Sequence, residues 1–524
     1  MWTPPSALTP EEHKIAARPR QARKFFVFWR EHRHAWLEAP CQDTFTETYR
    51  AEPGGTAPVE AGLLALATLV QASCHVSDRD AVALTVMDKR WQMVLGCLGA
   101  EPPPLSQSTL WTFRMRLMAH HLDKIVLERT VTVAAQSGGC GARQLRAALD
   151  ATPLFGAGRV ADTLNLLGHA VRKAVGLTAR ALGVSAEARL EEAALVLVGH
   201  SRRKAALDLD WGQPQARAQA LRWVLAEVER WKTWLVQHPH LVEEGGPLQD
   251  VMDTSAQSVT PATEPAPDGG PGGQRVKKQV APERRISIED ADMRHGRKSS
   301  AKTFNGCKEH FGLDLASHVT REVVVRPANE PEQAAVALLV ETLEKPPGLR
   351  QLDIDGGDMA SPRMTPWAEQ GVSIVARPWP QGGTHFTKDD FPFDFVHGQG
   401  TCPGGQTVPM VPGKDAQCPA SACDRCPPRA PCTTAQIGQG RSLSIREDEP
   451  FQHKLRAKIK TKRGRAARRK RTAVEHALSH HIAHQGRRAR SKGLRKNPLD
   501  GRRHAAVSNL QVAAHDIEER QLAS

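Results

Sequence analysis

Residues 145–153 read Leu-Arg-Ala-Ala-Leu-Asp-Ala-Thr-Pro, and the rest of the predicted architecture can be built outward from them. Four of the first five residues are apolar, and the run is short and bounded by a proline. This pattern predicts a short buried strand that ends in a carboxylate, that of Asp150. Because chemistry in open α/β sheets gathers at the carboxyl ends of strands, Asp150 is a candidate site residue.

Further apolar segments downstream have the lengths expected of strands and of one helix. Residues 286–288, 323–325, 352–355 and 374–376 predict strands, and residues 332–343 predict an apolar helix. The order strand, strand, helix, strand, strand predicts an α/β sheet with helical crossovers. Glu475 lies in a later segment that is predicted to be helical.

The first 135 residues predict an all-α region. Ser77 and Ser106 each have the pattern of a helix N-cap, and the helix after Ser106 carries Arg114 and Arg116 beside its apolar face. Short helices joined by tight turns, the last one basic, suit a helix-turn-helix-like DNA-binding module. Helix packing without any contact to DNA is the alternative that this pattern leaves open.

Composition shifts divide the chain further. Residues 245–283 are dominated by Pro, Gly, Ser and Thr and predict a flexible linker, whereas residues 380–450 are rich in turns and cysteine. The predicted divisions are 1–135, helical and DNA-binding; 140–160, the first strand of the core; 161–244, a helical insertion; 245–283, the linker; 284–379, the core continued; 380–450, a Cys-rich insertion; and 451–524, a basic helical segment that completes the core.

Lys and Arg number 71 against 57 Asp and Glu among the 524 residues, a formal net charge of +14. Nineteen of these cations lie between Lys454 and Arg503, where the acids are Glu475 and Asp500. A solvated tail is one explanation, and a phosphate-binding surface is the other, because neutralising phosphates releases condensed counterions. With neither a spanning apolar run nor a secretory signal in the sequence, we expect a cytoplasmic protein without a membrane partner.

Asp150, Asp355 and Glu475 form the candidate catalytic set. Asp150 and Asp355 lie at or near the carboxyl ends of predicted strands, and Glu475 lies within a predicted helix. Three converging carboxylates repel one another unless divalent cations lie between them, and oxygen ligands suit Mg²⁺. Two such ions can activate an attacking oxygen and stabilise a leaving one in an in-line displacement at phosphorus.

Several blocks of the sequence resemble the motifs of DDE transposases of bacterial insertion sequences. They occur in the order expected for that family and cover nearly the whole chain. The blocks are Leu149-Asp150 through Gly158, with Asp162 to His169; Asp292 to Lys298, leading to Phe304 through Lys308; Ile354-Asp355 through Pro362; Arg471-Thr-Ala-Val-Glu475; and the basic close with Arg487 to Arg490, Gly493, Lys496-Asn497 and Asn509-Leu510.

The resemblance implies an RNase H-like mixed sheet that binds two Mg²⁺ or Mn²⁺ ions through Asp150, Asp355 and Glu475. Water would free the 3′ ends of the element, and each 3′-hydroxyl would attack target DNA. The implied partners are double-stranded DNA, both terminal inverted repeats and target, and a second copy of the chain in a synaptic complex, associated with the nucleoid. The candidate DNA-binding residues are Arg114, Arg116, Arg471, Arg487, Arg488, Arg490 and Lys496.

Arg471 and Glu475 project from one helical face, so Arg471 either contacts a phosphate or forms an i,i+4 ion pair with Glu475. Asp353 competes with Asp355, since alternation along a strand puts both on one face; the motif register favours Asp355. Asp358 and Cys307 occupy positions where the family usually has tyrosine. These two departures favour one alternative to a full transposase, a decayed or repurposed DNA-binding relative. A metal-dependent nuclease that cleaves without joining is a third hypothesis.

Five of the ten cysteines fall within 31 residues. Cys423 and Cys426 form a Cys-x-x-Cys pair, and with Cys402 and Cys432 they supply the four thiolates of a closed tetrahedral zinc site. Cys418 is an alternative ligand, and unliganded thiols are the alternative to zinc. A structural Zn²⁺ would explain how a turn-rich segment with few apolar residues stays folded.

Overall fold

The computed structural model describes residues 1–18, 21–49, 57–136, 144–200, 207, 209–244, 246–259, 263–265, 274–276, 283–299, 301–345, 348–381 and 383–523. The architecture is mixed α/β and about half helical, with a helical N-terminal region and a curled mixed sheet. None of the described helices combines the length and the apolar character needed to cross a membrane.

The N-terminal region is built from helices whose ends follow the predicted caps. Ser77 accepts a hydrogen bond from the backbone N–H of Asp80, and Ser106 accepts one from that of Thr109, as expected of N-cap residues. The helices are α1 (Pro10–Ala16), α2 (Gln21–Trp36), α3 (Ala39–Thr46), α4 (Ala61–Cys74), α5 (Asp78–Met87), α6 (Lys89–Leu95), α7 (Gln107–Ala119) and α8 (Asp123–Gln136).

The main sheet has the strand order β4-β5-β1-β7-β8, and β6 pairs with β5 beside β4. β5 runs antiparallel to β1, β4 and β6, whereas β7 and β8 run parallel to β1. The strands are β1 (Leu145–Phe155), β4 (Arg294–Arg297), β5 (Thr303–Asp314), β6 (Thr320–Pro327), β7 (Leu349–Asp353) and β8 (Ser373–Val375). Ala147, Ala148 and Leu149 are buried, as both faces of a central strand should be.

The two edges of β1 are paired over different lengths. Its edge toward β5 is paired to Phe155, but its edge toward β7 is paired only as far as Ala148, opposite Asp353. Beyond that point the sheet opens, and Pro153 is accommodated because its missing N–H is not needed on an unpaired edge. At the far end, the isolated bridge from Phe155 to Arg488 holds the strand against the C-terminal segment.

Two hydrophobic cores cover the two faces of this sheet. One face packs on the N-terminal helices and the last helix in a single continuous core. The other packs on the crossover helices between β6 and β8. The helices after β6 are α14 (Gln333–Leu343), α15 (Met364–Glu369), α18 (Glu449–Lys460), α19 (Lys462–Arg469), α20 (Thr472–Gln485) and α21 (Lys496–Ala523), in addition to α16 and α17 below.

Helix α21 joins the N-terminal region to the sheet through buried polar contacts. Arg502 pairs with Asp123 of α8 and donates to Glu322 of β6 at 2.9 Å. Asn509 accepts a hydrogen bond from the backbone N–H of Thr320 at 2.8 Å and donates to the Thr130 hydroxyl of α8 at 3.1 Å. The N-terminal helices therefore do not form a core of their own.

A helical insertion and a Cys-rich insertion interrupt the sheet. The helical insertion contains α9 (Thr163–Leu182), α10 (Ala186–Glu192), α11 (Val196–Gly199), α12 (Pro214–Val236) and α13 (Pro247–Val259), with the short strands β2 (Thr263–Pro265) and β3 (Gln274–Val276). The Cys-rich insertion contains β9 (Phe393–Asp394), β10 (Gln399–Thr401), β11 (Thr407–Pro409), β12 (Asp415–Gln417), β13 (Ser442–Ser444), α16 (Ala420–Asp424) and α17 (Arg429–Cys432). Single 3₁₀ turns occur at Pro239–Leu241, Asp358–Ala360 and Lys388–Asp390.

The prediction of a flexible linker over 245–283 is wrong at its start, where helix α13 forms. Leu248 and Val251 are buried, and they pack in the core of the helical insertion with Met252 against them. The apolar residues of this short stretch are three and four positions apart, so a helix buries them on one face. The polar residues on either side dominate the composition and led to the prediction of a linker. Residues 260–262, 266–273 and 277–282 of the predicted linker lie outside the described residues.

Candidate acid site

A cavity of about 1130 Å³ opens where β1 and β7 separate, and we call it the acid cleft. Asp150, Asp355 and Glu475 all line it, although they are far apart in sequence. Its remaining charged lining residues are Lys298, Glu332, Arg377, Arg465, Arg468, Arg469, Arg471 and Arg487. Carboxylates and a larger number of cations therefore line the same cleft.

Asp150 lies in β1, two residues past the last residue paired with β7. Its Oδ1 accepts a hydrogen bond from the backbone N–H of Ala151 at 2.8 Å and lies 3.4 Å from Nη2 of Arg471. The side chain is 18% exposed. Burial raises the pKa of Asp150 above its ordinary value, and the Arg471 guanidinium opposes that rise.

Asp355 follows β7 by two residues and begins a tight turn. Its Oδ1 accepts hydrogen bonds from the backbone N–H groups of Gly357, at 2.8 Å, and Asp358, at 3.4 Å. Asp353, the competing candidate, is fully buried in β7 and accepts a hydrogen bond from Gln351 at 2.6 Å. Asp355 faces the acid cleft, whereas Asp353 is not among its lining residues.

Glu475 lies in the first turn of α20, and Arg471 is the N-cap residue of the same helix. Val474 and Leu478 of α20 are buried in the core that contains Ala148 and Phe311 of the sheet. This packing fixes the face of α20 that is turned to the sheet, and it leaves Arg471 and Glu475 at the acid cleft.

Two further carboxylates lie beside Asp355. Asp358 is 5% exposed, and its pKa is raised to about 8, mainly by burial. The neighbouring carboxylates of Asp355 and Glu332 make smaller contributions to the rise. Glu332 lines the acid cleft, and burial and then Asp355 raise its pKa as well. Sequence reasoning noted Asp358 and missed Glu332, for which the only sequence signal was its place at the start of the predicted helix 332–343.

The candidate DNA-binding residues separate into four groups. Arg471 and Arg487 line the acid cleft. Arg490 and Lys496 line a second cavity, of about 260 Å³, between α4, α7 and the start of α21. Arg488 is exposed, and its backbone bridges to Phe155 at the end of β1.

Arg114 and Arg116, the remaining two, are engaged within the protein. Arg114 pairs with Asp78 at 2.5 Å and donates to Gln71 at 2.9 Å, and its side chain is 14% exposed. Arg116 lies over the ring of Tyr49, with its guanidinium carbon 4.7 Å from the ring centroid. Arg114 therefore links α7 to α4 and α5. Arg116 links α7 to the segment that follows α3. Binding of DNA by either residue stays a prediction.

Basic residues that the sequence did not single out also line the acid cleft. Lys298 follows β4 and Arg377 follows β8, so both lie just beyond strand ends. Arg465, Arg468 and Arg469 belong to α19 and came from the basic block between Lys454 and Arg503. For Lys298 and Arg377 the sequence signal was a position just after a strand, and for the three arginines of α19 it was membership of the basic block.

The cysteine cluster gathers all four predicted zinc ligands and a fifth thiol. Burial raises the pKa of Cys418 to about 12, and Cys402, Cys423 and Cys432 add to the rise because they lie close to it. A Cβ atom on Gly404 would lie 2.6 Å from Sγ of Cys426 and 3.6 Å from Sγ of Cys402. Cys418 is the buried thiol of the cluster, and it remains an alternative zinc ligand.

Neither site has side chains already arranged around a metal ion. Over the described residues, no group of three or more His, Cys, Asp or Glu is placed to hold one. The donor chemistry nevertheless fits: the acid cleft offers carboxylate oxygens, which hard divalent cations prefer, and the cysteine cluster offers thiols, which zinc prefers. In the acid cleft, the guanidinium of Arg471 pairs with Oδ1 of Asp150, so a metal ion bound to that oxygen would compete with Arg471.

Two family models match the chain. Residues 24–116 match a transposase domain, DUF772, and residues 401–514 match a transposase DDE domain. The first match covers most of the N-terminal helices, and the second covers the cysteine cluster, α20 and the start of α21, with Glu475. No curated protein and no solved structure matches the chain.

Proposed function

Since the chain is a DDE transposase of the insertion-sequence type, we propose that it cleaves DNA at the ends of its mobile element and joins them to target DNA. The observation that carries the proposal is the acid cleft, a single cavity that Asp150, Asp355 and Glu475 line together with a lysine and several arginines. The strand order β6-β5-β1-β7-β8, antiparallel on one side of β1 and parallel on the other, supports an RNase H-like core.

Asp150, Asp355 and Glu475 would hold two Mg²⁺ or Mn²⁺ ions. When bound, such ions activate the attacking oxygen and stabilise the leaving oxygen at phosphorus. Asp355 contributes a carboxylate whose Oδ1 is already fixed by the turn at Gly357, so its orientation is set before substrate arrives. Glu475 is carried on a helix whose packing fixes its approach.

The cations of the cleft would bind and orient the DNA backbone. Arg471 lies against Asp150 and would turn to a phosphate once the carboxylate engages a metal. Arg465, Arg468 and Arg469 of α19 line the cleft, and so do Lys298 and Arg377. Fixed cations around a developing negative charge stabilise the transition state of phosphoryl transfer. Two element ends must be held together, so we propose that the chain acts as a homodimer.

A strand-transfer assay with labelled element-end DNA, a target plasmid and Mg²⁺ or Mn²⁺ tests the function. We expect Asp150→Asn, Asp355→Asn and Glu475→Gln to lower joining by roughly a hundredfold or more, the effect of losing one preorganised group in a catalytic site. DNA binding in a mobility-shift assay should survive in each. Asp353→Asn is the matched control and should keep joining, because Asp353 lies outside the cleft.

A non-catalytic DNA-binding protein is the second candidate, and Asp358 is the observation that favours it. A buried carboxyl, whose pKa burial raises to about 8, lies beside Asp355 at a position where relatives are expected to have tyrosine. The same assay separates the readings. Joined product supports a transposase, cleavage without joining indicates a nuclease, and a mobility shift alone indicates a DNA-binding relative.

A further inference from the structure

The second cavity, of about 260 Å³, contains an exposed tryptophan, and we call it the tryptophan cavity. Trp111 lies in α7 and is 52% exposed, whereas the preceding residue, Leu110, is fully buried. Met115 and Met118 follow Trp111 by four and seven positions, so the three side chains share one face of α7, and this face lines the cavity. A single exposed aromatic ring is ordinary on a protein surface, but this one lies beside cations that have no ion-pair partner.

Two cations of the tryptophan cavity are available to a ligand. The two acids that line it, Asp78 and Asp500, are each already paired with an arginine at 2.5 Å. Arg490 and Lys496 are exposed, and neither side chain makes an ion pair or a hydrogen bond with another described residue. An apolar ring bordered by two unpaired cations is complementary to a ligand that has a flat apolar face and a negative charge.

The tryptophan cavity and the acid cleft are lined by the same short segment between α20 and α21. Arg487 lines the acid cleft, and Arg490 lines the tryptophan cavity. Three residues of chain span at most about 11 Å, so the backbones of these two arginines lie within that distance of each other. One strand of duplex DNA advances about 3.4 Å for each nucleotide. A strand bound at the acid cleft can therefore reach the tryptophan cavity within a few nucleotides.

We propose that the tryptophan cavity binds an unpaired nucleotide of the element-end DNA, with its base stacked on Trp111 and its phosphate held by Arg490 and Lys496. This inference rests on the proposed function. A base inside a duplex has both faces covered by its neighbours, so only a base that has left the stack can lie against the indole. Stacking of bases on aromatic rings, combined with cations along the backbone, is a general way of binding single strands.

Binding of labelled oligonucleotides to the full-length chain, measured by fluorescence anisotropy in EDTA, tests the proposal without catalysis. The probes are a short deoxythymidine strand, an abasic strand of the same length and a blunt duplex of equal length. We expect Trp111→Leu to weaken binding of the deoxythymidine strand about tenfold, the usual effect of losing one base–aromatic stack. Binding of the abasic strand and of the duplex should stay within about twofold, and Trp111→Phe, which keeps a ring, should lose less than Trp111→Leu.

Two matched controls separate the cavity from the rest of the surface. Trp223 of α12 is 39% exposed and lies outside the cavity lining, so Trp223→Leu should bind every probe as the parent does. Arg490→Ala and Lys496→Ala should each flatten the salt dependence of single-strand binding by about 0.7 in the log–log slope, the effect of one lost phosphate contact. Lys492 pairs with Glu289 at 2.8 Å, so Lys492→Ala should leave that slope unchanged.

Circular dichroism and the thermal midpoint establish that each variant is folded. The inference fails if folded Trp111→Leu binds the deoxythymidine strand within about twofold of the parent, or if it loses the abasic strand and the duplex to the same extent. Loss of binding to a glutamate-rich peptide in Trp111→Leu, with binding of DNA intact, would assign the cavity to an acidic protein segment instead.

Failure of the inference can be distinguished from failure of the proposed function. If Asp150→Asn and Asp355→Asn abolish joining while Trp111→Leu binds the deoxythymidine strand as the parent does, the inference alone fails. If those two variants leave joining intact while Trp111→Leu loses the strand as expected, the proposed chemistry fails and the cavity remains a nucleotide site.

Discussion

Glu309→Gln should stabilise the protein in alkaline solution and leave it unchanged in acid. Glu309 lies in β5 and is 1% exposed, enclosed by α20 and α21. Gln485 donates a hydrogen bond to its Oε1 at 3.2 Å, and a Cβ atom on Gly501 would lie 2.2 Å from the same oxygen. Burial raises the pKa of Glu309 from 4.5 to about 8.

The sign follows from proton binding in the two states. Below pH 4.5 the carboxyl is protonated in both, so it has no effect on the free energy of unfolding. Between pH 4.5 and about 8 the unfolded chain has lost the proton and the folded chain keeps it, so stability falls as the pH rises, and above about pH 8 the loss is complete. Glutamine has no proton to lose and escapes this penalty.

The magnitude is bounded by the gap between the two pKa values of Glu309. At about 1.4 kcal/mol for each pH unit, the gap corresponds to roughly 5 kcal/mol at most. Relaxation and water entry reduce such penalties in real proteins, so we expect about 2 kcal/mol at pH 8.5. For a chain of 524 residues that unfolds as one unit, this corresponds to a rise of roughly 2 °C in the thermal midpoint.

Thermal unfolding of the parent and of Glu309→Gln from pH 4.5 to 9 measures the effect as a difference between two curves. Burial lowers the pKa of the neighbouring His481 to about 4. His481 is present in both proteins, so its contribution to the pH dependence cancels in the difference between the two curves. Glu341→Gln is the control, since the Glu341 side chain is 72% exposed and the chemical change is identical. Parallel curves for Glu309→Gln and the parent, or a lower midpoint for the variant at pH 8.5, would refute the reasoning.

Three further changes test other parts of the structure. Arg471→Ala should lower strand transfer about tenfold or more. It should also raise the Mn²⁺ affinity measured by calorimetry, because Asp150 loses its ion-pair partner. An unchanged Mn²⁺ affinity would contradict the competition inferred between Arg471 and the metal ion. Metal analysis of the purified chain should find one Zn²⁺ per chain, and Cys426→Ser should lower both zinc content and thermal midpoint; a zinc-free preparation with the same midpoint would rule out the structural zinc. Gly306→Ala should lower the free energy of unfolding by more than about 3 kcal/mol, because φ is +154° and a Cβ atom would lie 2.1 Å from a carbonyl oxygen of β1. Gly176→Ala is the control, since Gly176 lies in α9 with open space around it. It should be neutral or stabilising by up to about 1 kcal/mol.

Local pattern was sufficient for the elements that carry the acids. The strand at residues 145–153 was predicted from its apolar run, and β1 begins at Leu145. The N-caps at Ser77 and Ser106 were readable because capping involves residues only three apart. Parallel pairing of β1 with β7 then brings Asp150 and Asp355 to the same edge of the sheet, as strand polarity requires.

Contacts between distant segments were not readable in the same way. The pair of Arg114 with Asp78 could not be predicted, because Asp78 is 36 residues away and becomes a neighbour only when α7 packs on α5. The predicted contact of Arg114 with DNA stays a prediction. Glu332 reaches Asp355 only because the turn after β7 has a glycine at 357. Cys418 became the buried member of the cysteine cluster through the pairing of β12 with β13, which no spacing rule indicates.

The placement of α21 has a consequence for how this protein is made. Its residues leave the ribosome long after those of α8, yet Arg502 and Asn509 complete contacts with α8 and β6, and its apolar side chains close the core of the N-terminal helices. Until α21 has been made, those helices carry an uncovered apolar surface. A copy of the gene interrupted before α21 should therefore yield an aggregating or degraded chain and no stable N-terminal fragment.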